Sequence, residues 1–123
     1  MRLIYVLCFF AFASCGFFTG KPERATLTEG VHYFSGFSNG KFRILTPVDP
    51  ISESVAKQSK TYVRVTVDSN GRIIMFEKFL DQKFFFSHKY EYYDGGQLKS
   101  VEAVNEEGRI TKNEYTVEGD PIR

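Results

Sequence analysis

Cysteine, histidine and tryptophan are scarce in this chain of 123 residues, and each scarcity limits the chemistry of its folded part. Tryptophan is absent, and both cysteines, Cys8 and Cys15, lie near the start. The sequence after residue 15 therefore contains no thiol nucleophile, no disulfide partner and no thiolate metal ligand. The two histidines, His32 and His88, are far apart and lack zinc-ligand spacing. We expect no metal, no other cofactor and no catalytic residues, and hence no enzyme.

An excess of charge of one sign is also missing. The chain has 16 Lys and Arg against 15 Asp and Glu, which gives a net charge of +1. Nucleic-acid binding depends on a basic surface that neutralises phosphates, so we expect no nucleic-acid partner. The glycine and proline contents are ordinary, and the length suits one domain with a modest core.

The first twenty residues have the pattern of a targeting segment. Arg2 is followed by 18 uncharged residues, which form an apolar stretch and then a group of small residues at 13–16. This order is typical of a secretory signal peptide. Two other interpretations stay open: an uncleaved membrane anchor, because 18 residues are about the shortest span, and a buried N-terminal strand.

Within this segment, Phe12-Ala13-Ser14-Cys15 resembles the lipobox of bacterial lipoproteins, although that family prefers Leu where this chain has Phe12. The resemblance implies a signal peptide at 1–14, fatty acyl groups such as palmitate on Cys15, a tether over 15–30 and a domain at 31–123. Two acyl chains would anchor the protein stably to the membrane. The expected location is the cell envelope, and Gly16 after the cysteine implies the outer membrane, facing the periplasm, in a Gram-negative cell. Ordinary cleavage near Ser14 would instead give a secreted or periplasmic protein.

The remaining sequence predicts an α+β fold that is mainly β, an antiparallel meander of about five to seven strands with one short helix. Val63, Val65 and Val67 alternate with polar residues, as in a half-buried strand. Five such runs between residues 61 and 117 are joined by short turns, which makes them neighbours in the sheet.

The region before residue 61 predicts a hairpin and a helix. Asn39-Gly40 lies between two apolar runs, which favours a hairpin of strands 31–37 and 41–45. Asp49 and Pro50 predict the start of a helix that ends near Gln58, with Asp49 or Ser52 as its cap.

Three of the turns end in glycine, at Gly71, Gly96 and Gly108, and we expect each to take a positive φ. The block 90–98 resembles the tyrosine-aspartate repeat of large bacterial wall-associated proteins, and is similar to the short repeat of bacterial antitoxin-like proteins. The chain from residue 33 to residue 92 also resembles a family of small uncharacterised bacterial proteins. That resemblance implies a fold but no activity.

The strand at 83–93 is the most unusual segment, since it carries aromatic residues on both faces. One predicted face is a candidate binding face; its members are Phe84, Phe86, His88, Tyr90 and Tyr92. A strand covered on both sides has such a pattern, and so does a concave aromatic surface that holds a partner. Both interpretations stay open.

The leading hypothesis is therefore a small envelope lipoprotein that acts as a non-catalytic binding or structural module, with an envelope protein as partner. The alternative is an immunity or inhibitor protein that blocks a cognate toxin or enzyme. A third hypothesis is a small hydrolase that uses His88 and a glutamate.

Overall fold

The computed structural model describes residues 27–39 and 43–123, which form one antiparallel sheet of eight strands and a short helix. The strands are β1 Gly30–Ser38, β2 Thr46–Ile51, β3 Thr61–Val67, β4 Ile73–Leu80, β5 Lys83–Tyr92, β6 Leu98–Val104, β7 Ile110–Tyr115 and β8 Pro121–Ile122, and the helix is α1 Glu53–Gln58. Their order across the sheet is β2-β1-β3-β4-β5-β6-β7-β8. The predicted mainly β meander with one short helix is confirmed.

The predicted signal peptide, Cys15 and most of the predicted tether lie outside the described residues. Leu27 already packs against the core, four residues before the predicted start of the domain. Within residues 27–39 and 43–123, no helix has the length and apolar character needed to cross a membrane.

Four of the five turns of the meander share one hydrogen-bond pattern, and the exception is the β4–β5 turn, where Asp81 and Gln82 take positive φ. The first residue of each of these turns donates its N–H to the carbonyl of the residue four positions later. Its own carbonyl accepts the N–H of the glycine three positions later. These first residues are Asp68, Tyr93, Asn105 and Thr116. The glycines of the three predicted turns have positive φ, as expected, and Gly119 completes a fourth turn of the same kind. This fourth turn leads into β8, a strand that the sequence analysis did not predict.

The predictions before residue 53 were partly wrong. The second strand is Thr46–Ile51 rather than 41–45, and residues 43–45 are not in a strand. Asp49 and Pro50 belong to that strand, with Asp49 at φ 63°, instead of starting a helix. An edge strand tolerates proline, whose nitrogen has no hydrogen to donate. The helix begins later because the Ser52 side chain accepts the N–H of Val55, which makes Ser52 its cap.

The core lies on the inner face of the sheet, where the predicted row Val63, Val65 and Val67 is buried together with Phe76 and Tyr90. The other face carries polar side chains along β5, β6 and β7, and near β1 and β3 it is covered by α1. Ala56 of α1 is completely buried.

Three β-bulges interrupt the ladders of the sheet. Each inserts one residue into one strand of a pair: Ile74 between β3 and β4, Phe85 between β4 and β5, and Lys99 between β5 and β6. A bulge increases local twist and reverses the alternation of side chains beyond it. The bulges therefore decide which side chains share a face.

Candidate binding surfaces

The candidate binding face of β5 is divided by the bulge at Phe85. Beyond it, Phe84 lies against Phe79 with ring centroids 6.5 Å apart, and Phe79 stacks on Tyr62. Phe86 instead contacts Phe76 on the inner face. The prediction that all five residues share one face is therefore wrong for Phe84, because the inserted residue reverses the alternation.

Tyr90 is buried at the centre of the inner face, with 2% of its surface exposed. Its hydroxyl accepts the backbone N–H of Leu45 at 3.0 Å and lies 3.2 Å from His88 Nδ1. Burial raises the pKa of Tyr90 to about 12, so the phenol keeps its proton. Burial also lowers the pKa of His88 below its ordinary value, which favours a neutral ring that accepts the phenol proton at Nδ1.

Two further residues of the predicted face also pack against the core, Phe86 and Tyr92. The Tyr92 hydroxyl donates to the carbonyl of Ile73 at 2.6 Å. The Arg72 guanidinium lies over the Tyr92 ring, 5.4 Å from its centroid. Because these contacts are internal to the domain, the proposed role of the face in binding stays a prediction.

A short segment crosses the inner face, and we call residues 43–45 the strap. Leu45 is buried and Ile44 packs against the core. Arg43 Nη1 donates to the carbonyl of Gly119 at 2.9 Å, and its guanidinium lies 4.1 Å from the Tyr115 ring centroid. The strap therefore connects the β1–β2 side of the sheet to the β7–β8 turn.

A polar cleft of about 460 Å³ lies between the β3–β4 and β5–β6 turns. It is lined mainly by charged, amide and tyrosine side chains, including Asp68, Asn70, Arg72, Tyr93, Asp94 and Lys99. Several of these groups already serve the turns: Asp68 Oδ1 accepts the N–H groups of Asn70 and Arg72. The cleft thus contains hydrogen-bond donors and acceptors and both positive and negative side chains, and neither charge predominates.

The outer face carries the charged pairs expected for a solvated sheet. Arg64 donates twice to Glu77, at 2.9 and 3.1 Å, and this carboxylate raises the pKa of Arg64. Farther along, Glu102 is in register with both Lys89 and Lys112. Opposite charges that face each other across strands in this way stabilise a solvated sheet face.

The two histidines do not meet. The register places His32 and His88 in one row, but Val65 and Phe76 separate them. His32 Nε2 bonds to the carbonyl of Thr28 at 2.7 Å. In the part of the chain that the structure describes, no group of three or more His, Cys, Asp or Glu side chains is placed to hold a metal ion.

The two edges of the sheet differ sharply. At one edge, β2 contains Pro47 and Pro50 and the positive φ of Asp49, features that disfavour pairing with another strand. At the other edge, β8 pairs only with the last two residues of β7. Among the described residues, 110–113 of β7 pair with β6 alone, which leaves their second side open.

The open edge carries one exposed apolar side chain, Ile110, which is 60% exposed. Two others that are about half exposed, Val117 and Ile122, lie in the β7–β8 turn and in β8. Sequence reasoning missed this site, but the prolines gave a signal: no proline occurs between residues 50 and 121. The last long strand therefore has no proline to protect its edge, in contrast to β2.

The sequence pattern of a family of unknown function, DUF6156, matches residues 26–123. The chain belongs to this family. The DUF6156 match starts one residue before Leu27, which packs against the core, and includes every strand and the helix. The expected membership of an uncharacterised family is thereby confirmed, while Cys15 lies outside the match. No curated protein and no solved structure matches the chain.

Proposed function

We propose that this protein is a non-catalytic binding module, held at the cell envelope by a lipid on Cys15, that takes an extended segment of an envelope protein onto β7. The observation that carries the proposal is the open side of residues 110–113. Unpaired N–H and C=O groups along an edge strand bind a partner strand by continuing the sheet.

The difference between the edges supports a specific use of β7. A sheet that protects one edge with two prolines and leaves the other open directs pairing to one place. Every residue of β7 except Tyr115 is exposed, so an incoming strand meets no covering element from residues 27–39 and 43–123 there.

The side chains of β7 indicate the chemistry of the partner. Ile110 is in register with Val104, and Lys112 is in register with Glu102, so these side chains lie on the outer face. A strand laid beside β7 would place an apolar residue near Ile110 and an acidic residue near Lys112. We therefore expect an extended partner segment in which apolar and acidic residues are two positions apart.

The lipid anchor rests on the sequence of residues 12–15. Eleven residues separate Cys15 from Leu27, where packing of the domain begins. Such a connection reaches at most about 40 Å, so the module would act close to the membrane that holds it. The inhibitor hypothesis uses the same edge, with a toxin or enzyme as the partner.

Photo-cross-linking in cells tests the proposal. A photoreactive amino acid at exposed Asn113 in the full-length chain should give a discrete adduct with another protein, and one at exposed Glu53 on α1 should not. A lysine at an edge strand discourages strand addition. Ile110→Lys should therefore abolish the adduct, whereas the matched exposed change Val55→Lys should leave it unchanged.

Three results would contradict the proposal. These are an adduct that survives Ile110→Lys, equal adducts from both positions, or a cross-link only to residues 1–26 of the same chain. Thermal unfolding of each variant shows whether the fold is retained. If the adduct partner is a toxin or an enzyme, the inhibitor hypothesis replaces the structural one.

A further inference from the structure

The strap is joined to the inner face of the sheet by a chain of two hydrogen bonds. The backbone N–H of Leu45 donates to the Tyr90 hydroxyl at 3.0 Å, and that hydroxyl lies 3.2 Å from His88 Nδ1. Leu45 and Tyr90 are both buried. In this chain the phenol proton has an acceptor only when it is donated to Nδ1, which requires Nδ1 to carry no proton.

We propose that neutral His88 holds the strap against the sheet and that protonation of His88 in acid releases it. A protonated ring directs an N–H at the Tyr90 hydroxyl, which already accepts the Leu45 N–H. The phenol proton then has no acceptor in this arrangement, and a buried unsatisfied donor is costly. Rotation of the phenol to relieve this conflict withdraws the acceptor from Leu45.

The surroundings of His88 offer little compensation for a positive charge. Directly opposite it are Phe76 on β4 and Ala103 on β6. Phe86 lies beside it on its own strand, with ring centroids 5.4 Å apart. His88 is part-buried, and a cation that is partly removed from water without a carboxylate partner is less favourable than one in water.

Among the described residues, the charged and titratable groups on this face are His32 of β1, Arg72 of the β3–β4 turn, Lys78 of β4, Tyr90 and Tyr92 of β5, Tyr115 of β7 and Arg43 of the strap. The Lys78 ammonium lies over the Phe37 ring, and Arg43 lies over the Tyr115 ring. Both are cations, so neither stabilises protonated His88.

The direction of the pH effect follows from linkage. Burial lowers the pKa of His88 in the closed state, whereas release of the strap exposes the ring and returns its pKa toward the ordinary 6.5. The open state thus binds more protons, and closure weakens as the pH falls from about 6.5 through the lower, closed-state pKa. Above pH 7 the strap should stay fully closed.

Amide hydrogen exchange of the full-length chain tests the proposal. The protection factor of the Leu45 amide, corrected for the intrinsic pH dependence of exchange, should fall about tenfold or more between pH 7.5 and pH 5. The Ala56 amide, which donates to Ser52 in α1, should keep its protection. Histidine NMR titration should give His88 a pKa below the ordinary 6.5.

Three variants separate the switch from simple loosening. In His88→Gln the side-chain oxygen still accepts the phenol proton but does not titrate, so Leu45 should stay protected at both pH values. Tyr90→Phe should expose Leu45 at both. Arg43→Ala removes the hydrogen bond to Gly119 and the contact with the Tyr115 ring, and it should lower protection while leaving the pH dependence intact.

The proposal is overturned if Leu45 in the native chain keeps constant protection from pH 7.5 to pH 5. It is also overturned if His88→Gln retains the loss, or if Ala56 loses protection in parallel. If His88→Gln fails to fold, the native chain is compared with Tyr90→Phe instead. The proposal then requires that the protection of Leu45 in Tyr90→Phe does not depend on pH.

Discussion

The bulge at Phe85 predicts which aromatic rings of the sheet are energetically coupled. Simple alternation along β5 would place Phe84 beside Phe86 and therefore near Phe76. The structure places it on the other face against Phe79, with an interplanar angle of 81°. An edge-to-face aromatic pair contributes about 0.5–1.5 kcal/mol beyond burial of its area.

Double-mutant cycles measure this coupling directly. Leucine at each position removes the ring but keeps most of the apolar volume. The Phe79→Leu and Phe84→Leu cycle should give a coupling of about 0.5–1.5 kcal/mol. The Phe76→Leu and Phe84→Leu cycle should be additive to within about 0.5 kcal/mol, since the rings lie on opposite faces.

The assay is urea unfolding of the four chains in each cycle, with an unchanged slope as the check that the unfolding reaction is the same. Coupling between Phe84 and Phe76, together with additivity between Phe84 and Phe79, would contradict the placement of Phe84 on the outer face. It would mean that β5 alternates without a bulge.

Two further predictions concern a charged pair and a turn glycine, both measured by urea unfolding. Glu77→Gln weakens a bidentate, part-buried ion pair and should lower the free energy of unfolding by about 1 kcal/mol. Glu114→Gln changes an exposed pair at 4.0 Å and should lower it by less than about 0.5 kcal/mol. Equal losses in the two variants would contradict this prediction. Gly108→Ala imposes a side chain at φ 86° and should cost about 1–2 kcal/mol through backbone strain. Gly36→Ala has no such φ and meets Val48 at an ordinary 3.7 Å, so a similar loss there would show that strain is not the cause.

The meander was predictable because its signals are local. The alternation of Val63, Val65 and Val67 identifies the inward face of β3, and three of the predicted turns have a glycine where a positive φ is required. The register of β3, β4, β5 and β6 then follows from short turns, apart from the bulges. The charged rows of the outer face follow from that register.

The N-terminal part was not predictable in the same way. Asn39-Gly40 favours a tight hairpin, but residues 43–45 serve instead as the strap, held by Tyr90 and Gly119 from distant parts of the chain. Tertiary contacts of this kind leave no periodic signal. The Asp49-Pro50 pair, which is typical of a helix start, was accommodated by the edge position of β2.

The candidate site was only partly accessible from sequence. A bulge inserts a single residue without changing composition, so nothing in residues 83–93 indicated that Phe84 would leave the inner face. The open edge of β7 depends on where β8 pairs, and β8 has only two residues. The sequence identified the aromatic strand, but the pairing of that strand in the sheet determines the face on which each ring lies.

The intact mass of the protein extracted from membranes, beside a Cys15→Ser control, decides whether a lipid on Cys15 holds the module at the envelope. We expect a chain that begins at Cys15 and is heavier by its acyl groups, and we expect this species to be absent from the control. An unmodified chain would contradict it. A start near Cys15 without acyl groups would indicate a secreted domain, and an intact Met1 would indicate a membrane anchor or a protein that never left the cytoplasm.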